Sequence, residues 1–285
     1  MYFTALLGNP VDHSISPVLF NSYAEQAGIE YAHLKIKVNS KKDLPQVLQS
    51  MAKLGFCGAN ITLPYKIEII KNINSISPEA EKMGAVNTIV FKNNKISGYN
   101  TDGLGAIKAI ERKLKKIGKN NKILILGAGG AARAIFYEIY KRTKNIEILN
   151  RDLKEAQKLV KDITGKNLIP IHILKIENLK KYIKESDYII NTTPVGMSPE
   201  ENKRIVDLKI YNQIKNLKGK FYFDAIFNPY QTKFLKDAEK KGAKVCSGTY
   251  MMIYQAITAF ELWTGFEVKE IDIEKINKRL IKVLH

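Results

Sequence analysis

The chain has 285 residues, enough for about two domains of ~150 residues each. It is 45% apolar and 26% charged, the balance of a globular protein with a sizeable core, and no apolar run approaches the ~20 residues that span a bilayer. The formal charge of +18 invites a nucleic-acid surface, but forty of the 46 basic residues are lysine, scattered over helix faces, whereas phosphate forks and base readout favour arginine; the reading is a solvated surface and no nucleic-acid partner. The two cysteines, Cys57 and Cys246, have neither metal spacing nor a disulfide framework and suit a reducing cytoplasm.

Strand and helix signals alternate from the start. Tyr2–Leu7 reads as a strand, without the basic stretch of a leader peptide. Ser16–Gly28 reads as a helix with Pro17 first and Gly28 beyond its end. A strand at Glu30–Val38, a helix at Ser40–Leu54 and a short buried strand at Cys57–Ile61 follow, then a hairpin of Val86–Phe91 and Lys95–Tyr99 around Asn93-Asn94. Leu104, Ile107, Ile110, Leu114 and Ile117 mark one face of a long helix.

The pattern then turns to strand Lys122–Leu126, helix Ala131–Arg142, strand Ile146–Asn150 and helix Leu153–Ile163. Strands at Tyr188–Asn191 and Lys220–Asp224, a helix at Thr232–Lys241, a strand at Lys244–Cys246 and helices near Thr249–Trp263 and Ile271–Leu284 complete the chain. The fold class is α/β with two domains: an N-terminal α/β domain and a Rossmann-type dinucleotide-binding domain, the C-terminal helices returning to the first. The expected boundaries are 1–103 plus 247–285 for the first domain and 104–246 for the second.

The most informative stretch is Lys122-Ile-Leu-Ile-Leu-Gly-Ala-Gly-Gly-Ala-Ala-Arg133, a strand, a glycine turn and a helix start. Gly127 and Gly129 leave room for a pyrophosphate, Ala132 takes the third small position, and the helix start offers unpaired N–H groups to an anion. Elsewhere, small polar residues gather at turns. His13-Ser-Ile-Ser-Pro17 sets two hydroxyls before a helix, where either serine could be a cap. Asn60-Ile-Thr-Leu-Pro-Tyr-Lys66 ends an apolar strand in polar groups; a single lysine in such a lysine-rich chain is more often surface than chemistry. Gly84-Ala-Val-Asn-Thr88 and Asn100-Thr-Asp-Gly-Leu-Gly105 repeat the theme, and Asp102 could be only a helix cap. Together these groups suit a small polyhydroxylated acid, because a site that pairs several hydroxyls rejects analogues lacking them.

Taken in order, Gly8-Asn-Pro-Val-Asp-His-Ser-Ile-Ser-Pro17 with Asn21, Gly58-Ala-Asn-Ile-Thr-Leu-Pro-Tyr-Lys66, Gly84–Thr88, Gly98–Gly105, Gly127–Arg133, Asn150-Arg151, Asn191-Thr-Thr-Pro-Val-Gly-Met197 and Gly248 through Met251 to Gln255 resemble the shikimate/quinate dehydrogenase family over nearly the whole chain. The length matches the single-function form. The resemblance implies a dehydrogenase that passes hydride between NADP and C3 of 3-dehydroshikimate, giving shikimate for aromatic amino-acid biosynthesis. It implies Lys66 as the group handling the proton on the reacting oxygen, beside Asp102. Ser14, Ser16, Asn60, Thr62, Lys66, Asn87, Asp102, Phe227 and Gln255 are the implied substrate contacts. Gly127, Ala128, Gly129, Gly130, Ala131, Asn150, Arg151, Asp152, Thr192, Pro194, Met197, Ala225 and Gly248 are the implied cofactor contacts. No metal is implied, and His13 reads as making a structural hydrogen bond.

Two residues depart from the family pattern. Asp152 stands where relatives have Thr or Ser; it would repel a 2′-phosphate or accept from a bare 2′-hydroxyl, while Arg151 and Lys154 favour the phosphate. NADP is therefore the expected cofactor, with NAD possible. Phe227 stands where many relatives have Tyr near the substrate carboxylate, which opens the way to quinate. The alternatives at this stage are an NAD-preferring quinate/shikimate dehydrogenase and a nucleotide-binding regulator without turnover; the presence of both Lys66 and Asp102 argues against the latter. The expected setting is cytoplasmic, with a small-molecule substrate, no membrane, and a monomer or homodimer.

Overall fold

A computed structural model describes residues 1–166, 171–173, 176–267 and 271–284. The chain divides into two compact units, Met1–Thr101 with Gln255–Val283, and Asp102–Tyr254. The expected boundaries lay two residues later at the first division and eight residues earlier at the second.

The first unit is built on β1 (Tyr2–Gly8), α1 (Ser16–Ala27), β2 (Tyr31–Lys37), α2 (Leu44–Lys53), β3 (Gly58–Ile61), β4 (Ser75–Ile76), α3 (Pro78–Met83), β5 (Thr88–Lys92) and β6 (Lys95–Tyr99). Its sheet runs β2-β1-β3-β5-β6-β4. β1 pairs parallel with β2 and β3, whereas β5 pairs antiparallel with β3 and β6. Leu7, Leu44, Leu48, Ile61, Ile69, Val86 and Ile89 form the core on this sheet.

Three local details differ from the sequence reading, each for a physical reason. No side chain caps α1: its first flanking residue is Ile15, and Ser14, whose Oγ accepts from the Ser16 N–H, stands one residue too early to serve as a cap. The helix expected from Ser40 begins as a 3-10 turn closed by a Ser40–Asp43 capping box, and α2 starts only with Leu44-Pro45, proline being suited to a first turn. Ser77 caps α3, an element the periodicity did not reveal because it is only six residues long.

The second unit comprises α4 (Asp102–Lys113), β7 (Ile123–Leu126), α5 (Gly130–Tyr140), β8 (Ile146–Asn150), α6 (Leu153–Thr164), β9 (Ile171–Ile173), α7 (Ile176–Glu185), β10 (Tyr188–Asn191), α8 (Leu208–Asn212), β11 (Phe221–Asp224), α9 (Lys233–Glu239), β12 (Lys244–Cys246) and the start of α10 (Gly248–Thr264). All of its strand pairs are parallel, in the order β12-β11-β10-β7-β8-β9. That is the doubly wound dinucleotide-binding order, and it reverses between β7 and β10. The four strands at the centre, β8, β7, β10 and β11, bury nearly every side chain, as a sheet covered on both faces requires. α4 stops at Lys113, not at Ile117: Tyr188 donates its hydroxyl to the Lys115 carbonyl at 3.0 Å, and Ile117 reaches the core from irregular chain. β9, α7 and α8 were not foreseen.

The last part of α10 and α11 (Ile273–Leu284) belong to the first unit. Trp263 donates its indole N–H to the Ile89 carbonyl at 2.8 Å, and Arg279 reaches Ser22 and Glu25 on α1. Among the described residues no helix is long and apolar enough to cross a membrane.

His33 lies in this core. It stacks on Phe20 at 4.4 Å, faces Trp263 and shares a 2.8 Å hydrogen bond with Thr4 through Nδ1, while Nε2 has no hydrogen-bond partner among the described residues. Burial pushes its pKa from 6.5 down to about 3. The unfolded chain therefore binds a proton that the folded protein refuses, so this contribution to stability is complete above pH 6.5 and is lost as pH falls toward 3. Urea unfolding should show the wild type losing roughly 3 kcal/mol more than His33→Phe between pH 7 and pH 4. Parallel losses would show that His33 titrates normally.

Candidate active site

In the first unit the site residues gather at the ends of β1, β3, β5 and β6. The Ser14 hydroxyl, on the loop that follows β1, lies 3.1 Å from the hydroxyl of Ser16, the first residue of α1. That loop is tied to the turn after β3, because the Asn9 N–H donates to the Leu63 carbonyl at 3.0 Å. Thr62 and Lys66 flank the same turn: the Thr62 N–H donates to Leu7, and the Lys66 carbonyl accepts from the Val86 N–H. Both side chains are half-buried.

Asn60, Asn87 and Gln255 come from β3, from the residue before β5 and from α10, and two threonines join them. Asn60 Nδ2 donates to the Asn87 carbonyl at 3.3 Å and to Thr88 Oγ1 at 3.2 Å. Thr88 Oγ1 donates to Asn87 Oδ1 at 3.0 Å, which also accepts the Thr101 N–H at 2.9 Å. Asn87 Nδ2 donates to Thr101 Oγ1 at 3.0 Å, and that hydroxyl donates to Gln255 Oε1 at 3.2 Å. Asn60, Asn87, Thr88 and Thr101 are all buried. Thr88 and Thr101 were missed as members of the set; the available signal was that Thr88 directly follows the predicted site residue Asn87 and Thr101 directly precedes Asp102. His13 is exposed, unlike the hydrogen-bonded histidine expected there. Asp102 opens α4 and is half-buried; it belongs to the second unit, Lys66 to the first.

In the second unit every expected cofactor residue lies just beyond, or at, the carboxyl end of a parallel strand. Gly127–Ala131 link β7 to α5, Asn150–Asp152 end β8, Thr192–Met197 follow β10, Ala225 and Phe227 follow β11, and Gly248 follows β12. Gly127 takes φ +107°, and a Cβ there would meet Thr192 Oγ1 at 2.7 Å, so the turn from β7 into α5 admits only glycine at this position. Gly129 and Gly130 are different: both are exposed, and a Cβ at either would meet nothing within 4 Å. The fold leaves that space open. The N–H groups that begin α5 have no side-chain cap, and no acidic residue occupies its first turn. An anion fits this place. Gly248 is small for a packing reason, since a Cβ would lie 2.5 Å from the carbonyl oxygens of Ala225 and Ile226.

Asp152 is an N-cap. Its Oδ1 accepts the N–H groups of Lys154 at 2.8 Å and Glu155 at 3.4 Å. Asn150 Nδ2 braces the same corner through the Asp152 carbonyl and Glu155. Arg151 and Lys154 are exposed beside it. Phe227 is 40% exposed and so does not belong to the core. Sequence reasoning also missed a buried network behind these loops: Asp224 accepts from Asn191 Nδ2, the Ile226 N–H and the Thr232 hydroxyl, and Thr193 bonds to Asn191 Oδ1. Burial pushes the Asp224 carboxyl up to about 7 against the lowering effect of those three donors. Its signal was a polar residue closing an apolar strand, as in Phe221-Tyr-Phe-Asp224. Among the described residues no group of three or more His, Cys, Asp or Glu could hold a metal ion.

Family models described as the shikimate dehydrogenase substrate binding domain, shikimate/quinate 5-dehydrogenase and the shikimate 5′-dehydrogenase C-terminal domain match residues 6–89, 109–224 and 248–275. The chain belongs to the shikimate dehydrogenase family. The shikimate dehydrogenase (NADP+) of Methanococcus maripaludis is 41% identical over 283 residues, covering 97% of this chain and 95% of that protein. A crystal structure of a shikimate dehydrogenase in complex with NADP+ superposes with a TM-score of 0.88 at 35% identity, covering 100% of this chain and 96% of the other. The Listeria monocytogenes shikimate 5-dehydrogenase, in complex with shikimate and NAD, gives 0.86 at 32% identity, covering 98% and 96%. Within this family's fold the glycines separate into structural and open positions. Gly127→Ala should lower stability by about 1–3 kcal/mol, because it forces a strained φ against Thr192. Gly130→Ala should raise it by up to ~1 kcal/mol, as a better helix former in open space. Thermal melts of the two variants check this, and a shift of the same sign in both would contradict it.

Proposed function

We propose that this chain is an NADP-dependent shikimate dehydrogenase that reversibly reduces 3-dehydroshikimate to shikimate in aromatic amino-acid biosynthesis. What carries the reading is the coexistence of two built features in a chain 41% identical to a shikimate dehydrogenase (NADP+). One is the buried amide–hydroxyl chain from Asn60 to Gln255; the other is the open glycine turn at the carboxyl edge of a doubly wound sheet.

The residues fit the cofactor. Gly129, Gly130 and the start of α5 would hold the pyrophosphate, with Ala128 and Ala131 lining the turn. Arg151 and Lys154 would hold the 2′-phosphate, with Thr192, Pro194, Met197, Ala225 and Gly248 along the same sheet edge. Asp152 is engaged as the cap of α6 through Oδ1, and its single negative charge is outweighed by the two cations Arg151 and Lys154 beside it. When bound, the nicotinamide supplies hydride for reduction and takes it back in oxidation.

The chain's own residues do the rest. As hydride reaches the ketone carbon, its oxygen becomes an alkoxide and needs a proton donor in hydrogen-bond reach; the Lys66 ammonium gives that proton, and its amine recovers it in the reverse direction. Asp102 accepts from a substrate hydroxyl. Ser14, Ser16, Asn60, Thr62, Asn87 and Gln255 pair the remaining hydroxyls and the carboxylate, a pattern that penalises analogues lacking them. Phe227 brings no hydroxyl to the substrate carboxylate, which leaves quinate as a competing substrate. The free thiols Cys57 and Cys246 accord with a cytoplasmic setting.

Lys66→Ala should cut kcat for NADP-linked shikimate oxidation by roughly 10²–10⁴ and change KM much less. Retention of wild-type turnover would take Lys66 out of the chemistry. Arg151→Ala should weaken NADPH roughly 10- to 150-fold, the worth of a charge-assisted hydrogen bond, and leave NADH nearly untouched. Fluorescence titration with both cofactors reads the difference; equal losses would place Arg151 away from the 2′-phosphate.

A further inference from the structure

The buried chain of hydrogen bonds has a direction, and the direction is set by backbone groups. Asn87 Oδ1 faces the Thr101 N–H, so the atom there must be the oxygen. Thr88 has one hydroxyl proton, and that acceptor lies 3.0 Å away, so the proton goes to Asn87. The lone pairs of Thr88 Oγ1 are then left for Asn60 Nδ2 at 3.2 Å. Asn60 Nδ2 also faces the Asn87 carbonyl at 3.3 Å, which can only accept. Both N–H bonds of the Asn60 amide are therefore turned inward, and Oδ1 is the polar atom this side chain has left to offer.

From this we infer that Thr88, which is fully buried, is a positioning residue: it locks Asn60 as a hydrogen-bond acceptor, so that the site takes a ligand hydroxyl there as a donor. The inference rests on the proposed role of Asn60 in binding shikimate. Thr88 itself touches no ligand. Its effect passes through Asn60, and through Asn87, whose Oδ1 it helps to hold. Replacing the hydroxyl by a methyl of the same shape sets an apolar group against Asn60 Nδ2 and leaves the amide held by the Asn87 carbonyl alone, so that its Oδ1 is less firmly aimed at the ligand.

The test compares Thr88→Val, Thr88→Ser and Asn60→Ala in steady-state kinetics with shikimate and NADP. Thr88→Val should raise KM for shikimate roughly 3- to 10-fold, the worth of one neutral hydrogen bond, with kcat and the KM for NADP within about twofold of wild type. Thr88→Ser keeps the hydroxyl and should restore KM to within about twofold. In an Asn60→Ala background the Thr88→Val penalty should shrink by at least half, because its main route of action is gone. If Thr88→Val does not fold, as judged by circular dichroism, Thr88→Ala is read in the same way. A Thr88→Val KM equal to wild type, or a Thr88→Ser variant as impaired as Thr88→Val, overturns the positioning role while Asn60→Ala still raises KM. An Asn60→Ala variant with wild-type KM overturns the role of Asn60 itself, and with it the inference.

Discussion

A polar side chain that closes a buried strand must find its partners inside the protein, and both units are organised around that requirement. In the first unit Asn60, next to last in β3, sits in an apolar setting and is satisfied by Asn87 and Thr88, which in turn fix Thr101 and Gln255. In the second, Asp224 closes β11 and is satisfied by Asn191 and Thr232. An unpaired amide or carboxylate at these depths costs more than the bond that satisfies it returns. The same polar groups that the fold must pair are thereby held in one orientation. For a small ligand rich in hydroxyls, such a preset array replaces water with fixed donors and acceptors at little further cost in order.

The two sheets solve the placement problem differently. The second is parallel and doubly wound, so its loops emerge on one edge and its order reverses between β7 and β10. Gly127 sits at that reversal and is squeezed by Thr192 and Thr193, whereas Gly129 and Gly130 face open space. One loop thus contains a glycine demanded by the protein and two whose smallness the protein does not use. In the proposed function that pair leaves room for a pyrophosphate. The first sheet is mixed, and its polar groups come from β3, from the chain entering β5, from the end of β6 and from α10. Their convergence depends on long-range pairing.

How much of this could be read from the chain alone follows from that contrast. The βαβ run from Lys122 to Asn150 was legible because apolar strands, a glycine turn and helix periodicity are local signals. The candidate site residues stood out in the chain through a family resemblance and as polar groups ending apolar runs. Short elements such as α3, β9 and α8 were not, since a few residues carry too little periodicity. The serines before α1 looked like caps by type, but their spacing to the first free N–H groups depends on the path of the loop. Thr88 and Asp224 were invisible as connectors, because a hydrogen bond between residues 28 or 33 apart in the chain is fixed only by strand pairing. Asp152 was read as a possible opponent of a 2′-phosphate; its engagement as a cap became apparent only with the geometry of α6.

The central claim is the pairing of shikimate with NADP in a working oxidoreductase, and it is tested most directly by initial rates with shikimate and quinate, each against NADP and NAD. Shikimate with NADP should give the highest kcat/KM, with quinate and NAD each giving lower values. A higher kcat/KM with NAD, or with quinate, would contradict the roles assigned to Arg151 or to the hydroxyl-pairing groups, and the absence of turnover in all four combinations would contradict the enzyme itself.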